Sequence, residues 1–516
     1  MNGLRLGIDV GGTNTDAVVV DANGTVVSWH KTPTTPRVFD GISAALSVVL
    51  AETGAASVGQ VMLGTTHPVN AIIRRSGLAR VGVLRLAAPA TLSIAPLAGW
   101  PKDLAELTRG HTQIIRGGHE YDGSEINPLD EQAVRDFARA CANKVDAIAI
   151  TGVSSPANPD HELRAGAIVA ETLGDRFPVS LGYEMGGSGL LERENAAVLN
   201  AALTFVGANV VRGLEQALRA HRLKADVYLT QNDGTLLSAA EAARRPILTI
   251  GSGPTNSMRG AAYLSGLSDA IVMDVGGTST DVGLLVDGFP RESAHAVEIG
   301  GVRTNYRMPD LISIGLGGGT ILRTEPELAV GPDSVGYLLP ERALIFGGDT
   351  PTLSDAAAAA GRMGFGDRDL ARARLDASTV SAAIAWIDER VATLADRIKA
   401  ARVTLPLIAV GGGAGLIPNR VADVDEVVRH RHAGVANAIG AAIAEASGAV
   451  DRVFRYDSSS REACLAEAKV QAIDAAIHAG ADPSRIRITT VTEIPMSYVP
   501  GNCARLQVKA VGPLLA

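Results

Sequence analysis

Several residue types are scarce in this 516-residue sequence, and each shortage excludes a class of protein. Aromatic residues make up 4% of the chain, so Ala, Val, Leu and Ile must fill its core. The three cysteines are too few and too widely spaced for a disulfide framework or a zinc site. Basic residues number 47 against 55 acidic ones. The resulting charge of −8 argues against nucleic acid as a partner, because nucleic acid selects a basic face.

Long apolar runs are missing as well. Gly, Arg or Asp interrupts every apolar stretch well before the ~18 residues that a membrane span needs. The N-terminal residues lack the apolar core of a signal peptide. At 46% hydrophobic residues, however, the chain is too apolar to be disordered. These features predict a reduced, cytoplasmic, soluble α/β protein that binds no membrane.

Glycine is abundant instead, with 57 residues, or about 11% of the chain against the usual ~7%. Its most informative use is in a duplicated motif. Residues 9–16 read Asp-Val-Gly-Gly-Thr-Asn-Thr-Asp, and residues 274–281 read Asp-Val-Gly-Gly-Thr-Ser-Thr-Asp. Because apolar runs flank both copies, each is predicted to form a β-hairpin with a glycine-rich tip.

The tip of such a hairpin suits a phosphate group. Gly11–Gly12 and Gly276–Gly277 carry no Cβ, so their backbone N–H groups can approach an anion closely. Asp9 and Asp274, at the strand ends, can hold Mg²⁺ through water. The hydroxyls that can donate to phosphate oxygens are those of Thr13, Thr15 and Thr278. Two facing hairpins would contact a triphosphate from both sides. An ordinary β-turn would explain one copy of the motif, but it would not explain two near-identical copies.

Further segments stand in order between and around the hairpins. They are Gly64–Ala71, Glu192–Ala201, Ser252–Ala261, Ser313–Thr320, Val330–Ser334 and Pro351–Ala356. With the hairpins, this set resembles the hydantoinase A/5-oxoprolinase family of the actin-like ATPase superfamily, which includes sugar kinases, heat-shock chaperones and actin. The resemblance covers essentially the whole chain and extends to the family's stand-alone subunits of about this length.

The resemblance implies an α/β, two-lobed actin-like ATPase fold built from duplicated ribonuclease H-like domains. The expected first lobe is 1–190 and the second is 191–450. A small C-terminal α+β unit is expected over 451–516, where a docking or subunit-contact role is favoured. The composition of 86–125 predicts a loop-rich surface insertion, and apolar spacing predicts a long helix over 376–404.

Two more glycine loops follow predicted strands. The loop after Leu407–Val410 resembles the adenosine motif of the fold, and the loop after Leu311–Ile314 is predicted to contact the nucleotide, with a β-turn as the alternative. The residues assigned to nucleotide binding in these loops are Gly317, Gly318, Gly319, Gly411, Gly412 and Gly413.

Polar residues outside the glycine loops are candidates for substrate binding. His67 follows a predicted strand end, where open α/β sheets bind ligands, and it can transfer a proton near neutral pH. His119 lies in a polar loop that fits a surface turn, a substrate contact or a metal ligand. Glu194 fits a helix first turn, but the resemblance places it near the cleft. The predicted substrate-binding residues are Thr65, Thr66, His67, Asn70, His119, Glu194 and Asn195.

The family couples ATP hydrolysis to the opening of a cyclic amide. The resemblance therefore implies ATP and Mg²⁺ as cofactors, and a hydantoin, oxoproline or another lactam or imide as substrate. The residues assigned to catalysis are Asp9, Asp274, Asp16, Asp281 and His67, with Asp9 and Asp274 as metal ligands. A companion hydrolase subunit and an oligomer are expected. The alternatives are a small-molecule kinase of the same fold, an ATP-dependent carboxylase subunit, and a non-enzymatic ATP-switch protein.

Overall fold

The chain opens with the first predicted hairpin, whose strands pair from Arg5 opposite Val20 to Val10 opposite Thr15. A later strand lies parallel to the first one. The elements are β1 (Leu4–Val10), β2 (Asn14–Val20), β3 (Val26–Pro33), α1 (Val38–Thr53), β4 (Val58–Thr65) and α2 (His67–Ile73). The computed structural model describes residues 3–35, 37–187, 189–293, 296–306, 308–324, 327–399, 401–457, 459–496 and 502–515.

An inserted α/β unit follows, with four parallel strands in the order β6-β5-β7-β8. Its elements are β5 (Val81–Ala88), α3 (Lys102–Thr108), β6 (Arg109–Arg116), α4 (Glu131–Cys141), β7 (Ala147–Gly152), α5 (Asp160–Leu173) and β8 (Val179–Leu181). The prediction of a loop-rich 86–125 is confirmed only in part, because α3 and β6 lie between the irregular stretches 89–101 and 117–125. Strand β6 is an edge strand with mostly half-exposed residues, so its apolar pattern is weak.

The chain then returns to the first sheet through two consecutive helices. The elements are α6 (Leu190–Ala202), α7 (Thr204–Ala220), β9 (Asp226–Thr230), β10 (Thr235–Ser238) and α8 (Ala239–Arg244). Strand β9 pairs parallel to β4, so the first lobe continues well beyond the predicted boundary at 190. Across the described parts of the chain, no single helix is long and apolar enough to cross a membrane, although the bent pair α6 and α7 meets the length and composition criteria together.

The second lobe repeats the plan of the first around the second hairpin. Its elements are α9 (Ser252–Ser265), β11 (Ala270–Val275), β12 (Thr280–Val286), β13 (Phe289–Pro290), β14 (Val297–Ile299), β15 (Val302–Thr304), β16 (Leu311–Ile314), β17 (Thr320–Arg323), β18 (Ala329–Ser334), α10 (Leu339–Arg342), α11 (Leu353–Ala359), α12 (Arg368–Arg372), α13 (Ala377–Ile398), β19 (Leu407–Val410) and β20 (Val427–Val428). The predicted helix over 376–404 is α13, which begins after its N-cap Asp376 and ends earlier, at Ile398.

The C-terminal segment extends the first sheet. Its elements are α14 (Ala436–Ala442), β21 (Glu445–Arg455), α15 (Arg461–His478), β22 (Arg487–Pro495) and β23 (Cys503–Gly512). Strand β21 pairs with β10 and β23, giving one nine-stranded sheet in the order β22-β23-β21-β10-β9-β4-β1-β2-β3. The predicted boundary between 450 and 451 falls inside β21, so the C-terminal unit is continuous with the first lobe. Pairing with a strand some 200 residues earlier leaves no local sequence signal.

The duplication in the sequence is a duplication in the structure. The first sheet contains the order β3-β2-β1-β4-β9, and the second sheet has the order β13-β12-β11-β19-β20. In both, an antiparallel hairpin is followed by parallel strands. The two-lobed fold of duplicated halves is therefore confirmed, and helices α9 and α14 pack against each other between the lobes.

Candidate functional site

The two hairpins meet at a cleft of about 210 Å³ between the lobes. A Cβ added at Gly277 would lie 3.5 Å from Thr13 Oγ1, so the two tips face each other closely. Most residues predicted to bind phosphate or metal line this cleft. They are Asp9, Gly11, Gly12, Thr13, Asp16, Asp274, Gly276, Gly277, Thr278, Asp281, Gly411 and Gly412.

The hairpins are closed in the same way. The Gly11 N–H donates to the carbonyl of Asn14 over 3.0 Å, and the Gly276 N–H donates to that of Ser279 over 2.8 Å. Asp9 lies opposite Asp16 in the first hairpin, and Asp274 lies opposite Asp281 in the second. Each lobe therefore presents one pair of carboxylates beside one glycine-rich tip.

The carboxylates of the first lobe share one amide. Asn437 Nδ2 donates to Asp9 Oδ2 and to Asp16 Oδ2, both at 2.9 Å, and Lys31 Nζ lies 2.5 Å from Asp16 Oδ1. Asp9 Oδ1 is buried without a hydrogen-bond partner. Burial, with a smaller contribution from the nearby Asp16, raises the pKa of Asp9 to about 7, although the side chains of Asn437 and Asn256 lower it. Asp9 is therefore a charge that the protein alone stabilises poorly.

The second lobe holds its acids through hydroxyl groups. Ser257 Oγ donates to Asp274 Oδ2 over 2.5 Å, and Ser313 Oγ donates to Asp281 Oδ1. Burial raises the pKa of Asp274 to about 6, although the Ser257 hydrogen bond lowers it, and burial also raises the pKa of Asp281. Acids with raised pKa values facing one cleft favour a bound cation.

The donor set fits magnesium held partly by other ligands. Within the described ranges, no group of three or more His, Cys, Asp and Glu side chains could enclose a metal ion. Magnesium typically takes one or two carboxylates and completes its shell with water and phosphate oxygens. Asp9, with its unpartnered oxygen, and Asp274 supply such a pair on opposite sides of the cleft.

Some predicted nucleotide contacts instead support the second hairpin. The N–H groups of Gly318 and Gly319 donate to the carbonyls of Gly276 and Gly277 over 3.0 and 2.7 Å. A Cβ at Gly317 would lie 2.6 Å from the backbone of the residue after that glycine pair. This loop therefore packs behind the tip and does not line the cleft.

Two further predicted contacts also lie outside the cleft lining. The Gly413 N–H donates to the Val275 carbonyl over 2.7 Å, which fixes the adenosine-type loop to the second hairpin. Thr15 is buried, and its hydroxyl hydrogen-bonds to that of Thr34 at 3.2 Å. Both residues therefore shape the hairpins from within.

The segment after β4 reaches the cleft through one residue. Thr66 lines the cleft, and Asn70 Nδ2 donates to its hydroxyl over 3.2 Å. Thr65 Oγ1 lies 2.9 Å from His67 Nδ1, and burial lowers the pKa of His67. Thr65 and His67 therefore hydrogen-bond to each other and do not line the cleft.

Three predicted substrate residues lie elsewhere, in contacts that hold the inserted unit. Both oxygens of Glu194 accept from the buried guanidinium of Arg85, at 2.6 and 2.7 Å. Asn195 accepts from Trp100 Nε1 over 2.7 Å and donates to a backbone carbonyl. The ring of His119 packs on that of His161, with centroids 4.2 Å apart. The second turn of α6 thus contacts Arg85 of β5, which the sequence alone cannot show.

We expect Glu194→Gln to lower the free energy of unfolding by about 3–5 kcal/mol, because it leaves the buried Arg85 charge unpaired. The KM for an amide substrate should stay unchanged. Urea unfolding and steady-state kinetics check both expectations. Glu192→Gln is the matched control on the same helix, since Glu192 pairs only loosely, at 3.8 Å, with Arg303. A stable Glu194→Gln variant with a raised KM would return Glu194 to the substrate site.

Sequence reasoning missed three side chains that contact the aspartates of the cleft. Lys31 lies in β3, Ser257 in α9 and Asn437 in α14, far apart in the chain. Ser257 lies within Ser252–Ala261, one of the segments on which the family resemblance rests. That position is the only indication that the sequence gives of a role for any of the three. Asp355 completes a capping box at the start of α11, where it accepts from the N–H and hydroxyl of the N-cap residue Thr352 at 2.7 and 2.8 Å.

Two family models match the chain. One describes the hydantoinase/oxoprolinase N-terminal region and matches residues 5–173; the other describes hydantoinase/oxoprolinase and matches residues 193–393. The caprolactamase subunit alpha of Pseudomonas jessenii is 29% identical over 405 residues, which are 70% of this chain and 55% of that protein. The acetophenone carboxylase gamma subunit of Aromatoleum aromaticum is 29% identical over 390 residues, 68% and 52% of the two chains.

Solved structures show the same fold. The ATP-dependent caprolactamase from Pseudomonas jessenii superposes with a TM-score of 0.77 at 23% identity, covering 99% of this chain and 89% of that chain. Nucleotide-free acetone carboxylase gives a TM-score of 0.70 at 19% identity, covering 100% and 88%. By sequence, the chain spans about half the length of the curated relatives that it matches.

Proposed function

The chain belongs to the hydantoinase/oxoprolinase family, and from that premise we propose that it is the ATP-using subunit of an enzyme that opens a cyclic amide. The observation that carries the proposal is the pair of matched hairpins, which bring four aspartates and two glycine tips to one cleft. The similarity to an ATP-dependent caprolactamase supports ATP as the phosphoryl donor and a lactam as the acceptor.

The chemistry needs activation because amide resonance makes the ring carbonyl a poor electrophile. Transfer of the terminal phosphoryl group of ATP breaks its bond to the bridging oxygen, releases ADP and forms a bond to the amide carbonyl oxygen. Water then attacks the carbonyl carbon of this imidate phosphate, and the tetrahedral adduct breaks its C–N bond, so that the ring nitrogen leaves as a protonated amine and an acyl phosphate remains. A second water attacks the carbonyl carbon of the acyl phosphate, and its C–O bond to phosphate breaks to give a carboxylate and inorganic phosphate. Positioning and charge stabilisation are the main contributions that a protein makes to phosphoryl transfer.

The residues of the cleft divide this work. The N–H groups of Gly12 and Gly277, which are not used to close the hairpins, and the hydroxyls of Thr13 and Thr278 hold the phosphates. Asp9 and Asp274 hold Mg²⁺, which when bound offsets the charge on the phosphoryl oxygens. Lys31 fixes Asp16 and adds positive charge to the first lobe. His67 contacts Thr65 and not the cleft lining, so proton transfer by His67 stays a prediction.

A companion subunit is part of the proposal. The relatives are named as alpha, beta and gamma subunits, so they belong to assemblies of several chains. We infer that this chain carries out the ATP step and that a partner completes ring opening.

Stimulation of ADP release by a cyclic amide tests this function. We expect ε-caprolactam, 2-pyrrolidinone or hydantoin to raise the rate at least about fivefold in the presence of Mg²⁺, with little effect on an Asp274→Asn variant. The rate is measured by a coupled assay, for the chain alone and with a companion hydrolase subunit. If no lactam, imide or hydantoin changes the rate in either preparation, the proposed function is wrong.

An ATP-dependent carboxylase subunit is the second candidate. The acetophenone carboxylase gamma subunit is as similar to this chain, at 29% identity, as the caprolactamase subunit is. Bicarbonate separates the two functions: a carboxylase releases ADP in a bicarbonate-dependent reaction with a ketone, whereas the amide hydrolase needs no bicarbonate. A stable organic phosphate in the ³¹P NMR spectrum of the products would instead indicate a kinase.

A further inference from the structure

Lys31 differs from the other residues of the cleft between the lobes, because its charge is positive. Four aspartates line the cleft, and Lys31 is the one basic residue among the described residues that do so. A bound nucleotide adds the negative charges of its phosphates to those of the acids. Phosphoryl transfer is accelerated by cations that contact the transferred group. The ammonium of Lys31 is therefore a candidate for such a contact.

The pairing of three strands brings Lys31 to the cleft. Asp9 in β1 lies opposite Asp16 in β2, and Asp16 lies opposite Lys31 in β3. Residues directly opposite each other in an antiparallel pair place their side chains on the same face of the sheet, close enough to touch. The fold therefore sets two acids and one base in a row across the first hairpin and the strand beside it.

The ammonium of Lys31 keeps hydrogen-bond donors for a ligand. Its Nζ lies 2.5 Å from Asp16 Oδ1, and this ion pair uses one of its three N–H donors. Within the part of the chain that the structure describes, the ammonium has no second ion pair. The Lys31 side chain is 29% exposed, whereas that of Asp16 is 2% exposed. A ligand in the cleft can therefore reach the lysine, while the acid that holds the lysine is buried.

The charge of Lys31 also acts on the second lobe. Burial raises the pKa of Asp274 to about 6, and Lys31 opposes that rise from the first lobe. The adenosine-type loop is fixed to the second hairpin, through the Gly413 N–H and the Val275 carbonyl. A nucleotide whose adenosine lies at that loop extends its phosphates towards the first hairpin. Its terminal phosphoryl group then comes nearest to Lys31.

We propose that Lys31 is a catalytic residue whose remaining N–H groups contact the terminal phosphoryl group of ATP. Lys31 keeps its protons and forms no covalent bond. It offsets negative charge on the phosphoryl oxygens while the bond to ADP breaks and the bond to the amide oxygen forms. Asp16 is a positioning residue, because it holds the ammonium and is itself held by Asn437. This inference rests on the proposed function and deepens it by naming the cation that the chain itself supplies.

Nucleotide binding tests the contact without turnover. Adenylyl imidodiphosphate, a non-hydrolysable ATP analogue, carries the terminal phosphoryl group that ADP lacks, and isothermal titration calorimetry measures the dissociation constants of both. We expect Lys31→Gln to weaken binding of the analogue about 10-fold or more and to leave binding of ADP within about twofold. Lys224→Gln, at an exposed lysine between α7 and β9, is the matched control. Equal losses for the two nucleotides, or no loss for either, overturn the assignment.

A double variant separates catalysis from a structural role of the ion pair. Lys31→Gln alone leaves the buried Asp16 charge unpaired, so it should lower both the free energy of unfolding and the rate of ADP release. Adding Asp16→Asn removes the second charge, and we expect the double variant to recover most of the lost stability. With the most stimulating amide, its ADP release should still be at least about 100-fold slower than that of the wild type. Recovery of the wild-type rate would show that Lys31 only stabilises Asp16.

The same variants test the role of Asp16. If Asp16 acts through Lys31, the double variant releases ADP no more slowly than Lys31→Gln alone, whereas a slower double variant overturns the assignment of Asp16 as a positioning residue. If no cyclic amide stimulates ADP release, the proposed function is wrong. The ratio of the two nucleotide dissociation constants then still decides whether Lys31 contacts the terminal phosphoryl group.

Discussion

Asp9→Asn is expected to slow ADP release at least about 100-fold and, at pH 8, to raise the free energy of unfolding. The activity falls because the variant loses the carboxylate that would hold the cation beside the phosphates. The stability rises because the ionised side chain is buried, with one oxygen unpartnered and with Asp16 beside it. Asparagine keeps an oxygen for the Asn437 amide but carries no charge.

The stabilisation should depend on pH in a defined direction. The pKa of Asp9 is raised from its usual 3.8 to about 7 in the folded chain, so the folded state binds a proton more readily than the unfolded state. The wild type therefore loses stability as the pH rises from about 4 to about 7, by a few kcal/mol. Asp9→Asn removes this loss, so the two proteins should differ most at pH 8 and least near pH 4.

Urea unfolding in metal-free buffer at several pH values, together with the ADP assay, measures both effects. Asp396→Asn is the control, because its side chain is 77% exposed and remote from the cleft lining. A variant that loses activity and stability together, with no pH dependence, would show that Asp9 serves the fold and not a cation.

Gly440→Val should have the largest effect on the fold. Helices α9 and α14 cross so closely that a Cβ at Gly440 would overlap the carbonyl of Asn256, and one at Gly260 would overlap that of Ala436. Backbone atoms cannot move aside as a flexible side chain can, so the lobes must separate. We expect a loss of about 3 kcal/mol or more in the free energy of unfolding.

The same displacement should slow ADP release, because Asn437 on α14 contacts both Asp9 and Asp16. Urea unfolding of Gly440→Val is compared with that of Gly364→Ala, a position with nothing within 4 Å of the added Cβ. If Gly440→Val unfolds within about 0.5 kcal/mol of the wild type, the two helices do not form the tight junction between the lobes.

The sequence predicted the elements whose form depends on residues close together in the chain. The hairpins at Asp9 and Asp274 have the predicted form, and strands β16 and β19 have the predicted bounds. The place of strand β21 in the first sheet could not be predicted, because its partner strands β10 and β23 are distant in the chain and no residue near β21 indicates them. The extent of the first lobe therefore required the structure.

The site shows the same division. Glycine spacing predicted the phosphate-facing tips, but the same residue type in Gly317–Gly319 supports a hairpin from behind, and sequence cannot separate these uses. From the sequence, Glu194 is only an acidic residue near the start of a helix. In the structure its carboxylate pairs with the buried guanidinium of Arg85 in the inserted sheet.

The fate of the amide oxygen tests the central claim most directly. A lactam that stimulates ADP release is labelled with ¹⁸O at its carbonyl and supplied, with ATP and Mg²⁺, to the chain together with the proposed companion subunit. If the carbonyl oxygen accepts the phosphoryl group and water attacks carbon, mass spectrometry of the inorganic phosphate will find the label there, about one ¹⁸O per phosphate. Unlabelled phosphate, with all of the ¹⁸O kept in the ring-opened carboxylate, would contradict the account.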